Sequence, residues 1–285
     1  MGGFGISRYS LDYYLSQIAK SKGVQVVEKC KVTLVEDQDE TTHEIHTTAG
    51  KYQAEIVCGS YGKYTPAFVG DQIDSKTGGG NYIGVKYHIR TDLKPDRIEL
   101  HNFEDGYCGV SKVDQDWYCL CYLATAKTLM ENGKDIRRME EDVLYKNPHL
   151  KRYFEESEFV RKDPLVISNI QFSKKHTDAN GIFLLGDAAG TITPLCGNGM
   201  SMGMRASFLL SRELIGFFEQ KHKKRQAMLN YQKAWNNAFN TRITSGYYIQ
   251  HLFGKRNTTD IALKLLSVFP SVTTRLISLT HGEVF

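Results

Sequence analysis

The chain contains no Cys-x-x-Cys pair, no Cys/His pair at metal-ligand spacing and no G-x-G-x-x-G. Its six cysteines (Cys30, Cys58, Cys108, Cys119, Cys121 and Cys196) are scattered, which argues against a disulfide framework and a metal site and for a reducing compartment. Cys119 and Cys121 alternate within an apolar strand-like run and read as small buried hydrophobes. No stretch approaches the ~20 apolar residues of a transmembrane helix, and no signal peptide is evident, so a cytoplasmic protein is expected. The formal charge is only +4, and the one basic run (Lys221, His222, Lys223, Lys224, Arg225) is short. Nucleic-acid binding is therefore not expected.

What is present suits a globular fold: 285 residues, 41% hydrophobic and 24% charged, enough for one large or two smaller domains. "SRYSLDYYLSQIAKSKG" places Leu11, Tyr14, Leu15 and Ile18 at helical spacing, with Ser10 as the expected cap and Gly23 as the stop. Three meandering strands follow in "VQVVEKCKVTLVE", "HEIHTT" and "YQAEIVC". A glycine-rich loop through Gly78–Gly80 carries a domain boundary. From Tyr82 to Leu123, strands separated by Asp-Gly and Asp-Gln-Asp turns predict an antiparallel sheet. Polar helices over 127–159 and a strand in "LVISNIQFS" come next, and helices dominate from Arg205 onward. Tyr231, Trp235 and Phe239 share one helix face, and two short apolar helices flank Pro270.

The least ordinary stretch is "GIFLLGDAAGTITPLCGNGMSMGMRASFLL", residues 181–210. "IFLLG" reads as a strand buried on both faces, and Asp187 stands just beyond its carboxyl end, where α/β sheets bind ligands. A carboxylate there is suited to ribose hydroxyls. Ala188, Ala189 and Gly190 keep side chains away from the backbone, Pro194 stiffens the loop, and Gly197-Asn198-Gly199 opens a helix. The free N–H groups of that helix start favour a pyrophosphate or the partial negative charge of a ring system. Ser201, Gly203, Ala206 and Ser207 leave one helix face thin for close packing. A nicotinamide-type dinucleotide turn is excluded by spacing, because about ten residues separate Gly186 from Gly197.

"FLLGDAAGTITPLCGNGM" resembles the second FAD-binding motif of the flavoprotein hydroxylase and geranylgeranyl reductase superfamily. The resemblance implies that Asp187, in the Gly186-Asp187 pair, holds the FAD ribose. It implies that Pro194, Gly197 and Gly199 run beside the flavin ring, and that Asn198 to Met200 face its pyrimidine end. "ISRYSLDYYLSQIAKSKGVQV" is similar to the family's Arg-containing helix, with Arg8 in the arginine position. "AEIVCGSYGKYT" resembles its Gly-Ala-Asp-Gly segment, with Gly59 and Gly62 kept and Tyr61 replacing the acid. "DGYCGVSKVDQDWYCLCYL" resembles the central strands of the substrate domain.

The implied fold is mixed α/β: an incomplete FAD-binding domain, an antiparallel-sheet substrate domain and a helical C-terminal region. The expected blocks are residues 1–72, 73–174, 175–220 (the Gly-Asp motif and its helix) and 221–285. The implied activity is that of an FAD-dependent reductase or monooxygenase acting on a hydrophobic or aromatic small molecule, with NAD(P)H as electron donor. The alternative is a partial flavoprotein half without independent activity, because the family's N-terminal G-x-G-x-x-G unit is absent. The halogenase W-x-W-x-I-P is missing too, since Trp117 and Trp235 are far apart. His88, His101 and His176 form no pairs by spacing, and no catalytic acid or base is nominated. The terminal helices around Pro270 either pack onto the body or make peripheral membrane contact.

Overall fold

The computed structural model describes residues 5–37, 42–70, 81–170, 172 and 174–281. In chain order, α1 (Arg8–Ser21) precedes strands β1 (Val32–Asp37), β2 (His43–Thr47), β3 (Gly50–Ala54) and β4 (Cys58–Gly59), and the short α2 (Ala67–Gly70). Four longer strands follow: β5 (Tyr82–Arg90), β6 (Ile98–Phe103), β7 (Gly106–Lys112) and β8 (Tyr118–Thr125). Helices α3 (Ala126–Glu131), α4 (Ile136–Asp142) and α5 (Pro148–Glu156) lead to β9 (Glu158–Phe159) and β10 (Leu165–Ile170). Strands β11 (Asp178–Ala179) and β12 (Ile182–Leu184) come before α6 (Gly199–Phe218), α7 (Lys224–Gln250), α8 (Arg256–Val268) and α9 (Pro270–His281). The boundary expected at residue 72 and the Gly78–Gly80 run lie outside the described residues, as does Gly3-Phe4.

Two compact units share the chain discontinuously. One gathers residues 1–28, 80–170 and 251–265, the other residues 29–79, 171–250 and 266–285. In the first, an antiparallel sheet runs in the order β10-β5-β8-β7-β6, with β9 also paired to β5. Alternation sends Val85, Tyr87 and Ile89 of β5 and Leu120 and Tyr122 of β8 to one face, where they bury against Met139, Leu144 and Leu150. Buried Glu140 fastens α4 to this face, accepting from Tyr87 Oη at 2.8 Å and Tyr122 Oη at 2.7 Å. Burial pushes the Glu140 carboxyl above its ordinary range, and the two hydroxyl donors oppose the shift.

The opposite face differs from the sequence expectation for Cys119 and Cys121. Both lie half-buried on it, while Cys108 is fully buried beneath the helices. The first helix also departs from expectation. Ser7, not Ser10, caps it: the Ser7 hydroxyl accepts from the Ser10 N–H, and Ser10 Oγ instead donates to Asp114 at 2.8 Å. No residue of α1 is buried, so its apolar spacing does not serve as a core face.

The second unit begins with the expected meander, β1-β2-β3, although β1 starts only at Val32 and the apolar residues from Val24 to Val27 precede it. A second sheet, β11-β12-β4, sets β12 parallel to β4. Ile182, Phe183 and Leu184 are all buried, as a strand covered on both faces requires. Tyr231, Trp235 and Phe239 of α7 pack there with Leu210 and Ala206 of α6. Buried His43 joins the meander to the start of α7, with Nδ1 2.6 Å from Asp37 and Nε2 against the Lys224 ammonium. Desolvation and Lys224 hold the His43 imidazole below its ordinary pKa.

His88 and His101 are lowered in the same direction, chiefly by burial. Unlike the isolated residue suggested by sequence spacing, His101 sits 3.1 Å from Glu99 and stacks on His149. All three imidazoles bind protons less readily folded than unfolded, so the folded state loses stability as pH falls below the unfolded value of about 6.5. Thermal denaturation should therefore show a melting temperature that drops between about pH 7.5 and 5.5, with a shallower slope in His43→Gln. A flat profile would contradict the assignment. Glu140→Ala should cost about 2 kcal/mol or more in denaturant titration, because it strands two buried hydroxyls.

Candidate functional site

The site is built where β12 ends. Leu185 is still extended, and Gly186 turns the chain with φ +56°, a left-handed conformation that a side chain resists. A single 3₁₀ turn, Gly186–Ala188, then presents Asp187 at the surface. A Cβ on Gly203 of α6 would lie 3.9 Å from the Gly186 Cα, so turn and helix meet backbone to backbone. Gly190 is tighter still, since a Cβ there would sit 2.8 Å from the Trp235 ring. Of the small residues expected to thin α6, Gly203 and buried Ala206 face the core, whereas Ser207 is exposed.

Lys175 holds this turn from outside, and nothing in the sequence pattern singles it out. Its ammonium donates to the Lys63 carbonyl at 3.0 Å and the Asp187 carbonyl at 3.2 Å, bridging the loop after β4 to the turn after β12. Burial lowers the Lys175 pKa, and the neighbouring Asp187 charge opposes that shift. Tyr231 secures the strand itself by donating to the Leu184 carbonyl at 3.0 Å.

Beyond the turn, Pro194 opens a second 3₁₀ turn that ends at Gly197, φ +66°, and α6 begins at Gly199. Asn198 occupies the cap position without capping. Its Nδ2 donates to the Thr280 carbonyl of α9, and its Oδ1 is buried without a protein partner. The first N–H groups of α6 thus receive no cap from the Asn198 side chain, and a Cβ on Gly197 would meet open space. Their dipole favours an electron-rich edge.

A small pocket of about 10 Å³, room for about one water molecule, brings together Gly186, Asp187, Gly190 and Gly199, walled by Met202, Trp235 and Phe239. Pro194, Gly197, Asn198 and Met200 follow one another at the mouth of α6, with Pro194 and Met200 exposed. Arg8 belongs to the other compact unit, where it pairs with Asp12 at 2.9 Å on an exposed helix face. Elsewhere in the second unit, Glu36, Glu44 and His46 cluster closely enough to hold a cation, but Lys51 already compensates Glu44 at 2.7 Å.

A strand, a Gly-Asp turn and an uncapped glycine-led helix start form one continuous surface. Residues 113–249 match the squalene epoxidase family profile. The chain is also 22% identical to digeranylgeranylglycerophospholipid reductase 1 of Methanococcoides burtonii over 93% of its own length and 65% of the relative's. The profile match spans the whole Gly186–Met200 stretch.

The fold is shared with solved structures of flavin-dependent enzymes. The flavin-dependent brominase Bmp2 superposes with a TM-score of 0.76 at 16% identity, covering 96% of this chain and 70% of the brominase. Conditioned medium factor receptor 1 of Dictyostelium discoideum is 29% identical over 46% of this chain and 25% of its own length. The chain thus spans between a quarter and two thirds of these two curated relatives. Among the described residues, no single helix is long and apolar enough to cross a membrane.

The glycine contacts separate packing from access at this motif. Gly190→Ala should cost about 1–3 kcal/mol by overpacking against Trp235. Gly197→Ala should cost about 1–2 kcal/mol through its left-handed backbone alone. Thermal melts of the two variants, with a crystal structure of Gly190→Ala showing a displaced Trp235 ring, would check the difference.

Proposed function

We propose that this chain carries the flavin-side grip of an FAD-dependent oxidoreductase that acts on a hydrophobic or aromatic small molecule, with NAD(P)H supplying electrons. The observation that carries the proposal is the surface joining Asp187 to the α6 start. An exposed carboxylate stands at the carboxyl end of a buried strand, and a helix terminus without a side-chain cap follows it. The residues fit the group. Asp187 would accept from ribose hydroxyls, and the bare backbone at Gly197 and Gly199 leaves room for a flat ring. The Asn198 Oδ1, which accepts no hydrogen bond from the protein, would lie beside that ring's polar edge in this reading.

When bound, the flavin supplies the hydride or oxygen-transfer chemistry, and the protein positions it and keeps water out. Lys175 would fix the Asp187 turn, and the α6 dipole would stabilise negative charge on the ring. Exposed Leu100, Leu165 and Ile167 on the sheet of the first unit support an apolar substrate. Exposed Val268, Val272 and Ile277 of the second unit support peripheral contact with a lipid surface.

A second reading is favoured by the absence of G-x-G-x-x-G: the chain is a flavoprotein half that binds flavin weakly or through a partner. The purified chain's visible spectrum separates the two. Flavin bands near one FAD per chain support autonomous binding, and bleaching by NADH or NADPH supports the donor. A colourless protein that gains colour only when a G-x-G-x-x-G segment is supplied supports the half. In either case Asp187→Ala should weaken FAD by about 1.5–3 kcal/mol, on the order of 10- to 100-fold, in a fluorescence titration. Unchanged affinity would remove Asp187 from the site.

A further inference from the structure

The sheet of the first unit carries a pair of thiols with no place in the flavin reading. Cys119 and Cys121 are two residues apart on β8, so both point to the same, half-exposed face. Strand registers place them in two rows across the sheet. Leu100, Gly109, Cys121, Lys86 and Leu165 form one row, and Ile98, Ser111, Cys119 and His88 form the other. Gly109 lies beside Cys121 on β7, and a Cβ there would meet the Leu100 side chain at 3.5 Å. His88 stands opposite Cys119 with its Nε2 buried and unpartnered in the protein.

Lys86 of β5 stands directly across from Cys121 in the strand register. A disulfide is a poor use of this geometry. Residues i and i+2 of a strand lie about 6.7 Å apart, and their parallel Cβ atoms are spaced well beyond the ~3.5–4.5 Å of a disulfide. A two-coordinate metal ion spans a wider gap, since two metal–sulfur bonds of about 2.3 Å laid end to end separate the sulfurs by about 4.6 Å. Zinc would need about four ligands, which a thiol pair does not supply.

We propose that Cys119 and Cys121 form a binding site for a soft monovalent ion of the Cu(I) class, held as a bis-thiolate on the half-buried face of the sheet. Binding releases the two thiol protons, one from each cysteine. The resulting unit carries a net charge of −1, which the Lys86 ammonium beside Cys121 offsets. Thiolate ligands select Cu(I) over harder ions.

The test is an anaerobic titration of the full chain with Cu(I) held by a chromogenic chelator. One Cu(I) per chain should pass from chelator to protein, and Cys119→Ser and Cys121→Ser should each abolish the transfer. Cys58→Ser, which changes a cysteine of the other unit, should leave it intact. Lys86→Gln should weaken binding without changing the stoichiometry. A measurement on the unaltered protein guards against misfolded variants: bound Cu(I) should protect Cys119 and Cys121 from iodoacetamide, as located by peptide mapping. The proposal is overturned if the doubly substituted protein takes up Cu(I) as before, if Cys58→Ser removes uptake, or if alkylation of Cys119 and Cys121 ignores the ion.

Discussion

The second unit depends on how closely the turn after β12 approaches α6. That approach is backbone to backbone at Gly186 and Gly203, with Gly190 pressed against Trp235. It sets where the strand ends, where Asp187 emerges and where the α6 N–H groups begin. Larger residues at these points would push the helix off the strand and separate the acid from the helix dipole. The buried wall of Trp235, Phe239 and Tyr231 is therefore part of the site's geometry as well as its stability.

Around this contact the protein adds polar fastenings from side chains to backbone carbonyls. Tyr231 satisfies the Leu184 carbonyl, and Lys175 gathers two carbonyls from separate loops. Asn198 follows the pattern, turning its amide toward Thr280 rather than capping its own helix. The outcome is a helix start without a cap from its own N-terminal side chain. In the first unit the same economy produces Glu140, a buried carboxyl that costs desolvation but is answered by two hydroxyls.

Much of the fold was legible because strand and helix periodicities are local. The four long strands, the β1-β2-β3 meander and the i, i+4, i+8 stripe on α7 all appear where hydrophobic spacing puts them. Period-two patterning identifies a strand but does not say which face is covered. Cys119 and Cys121 were therefore read as buried, although the helices cover the opposite face of β8. The cap of α1 was misplaced because Ser7 and Ser10 are both plausible acceptors, and Asp114, distant in sequence, engages Ser10. Helical spacing in α1 likewise signalled a packing face that no buried residue fills.

The sequence by itself determined the elements of the candidate site: a buried strand, an acid at its end and a glycine-led helix, in an order whose resemblance names a superfamily. Those features rest on residue type and spacing along one continuous segment. Only the tertiary structure decided which residues support them. Lys175, Trp235 and Thr280 reach the motif from elsewhere in the chain, and the division into two discontinuous units assigns Arg8 to a different body. Packing partners and long-range hydrogen bonds depend on how distant segments meet, and no local pattern encodes that meeting.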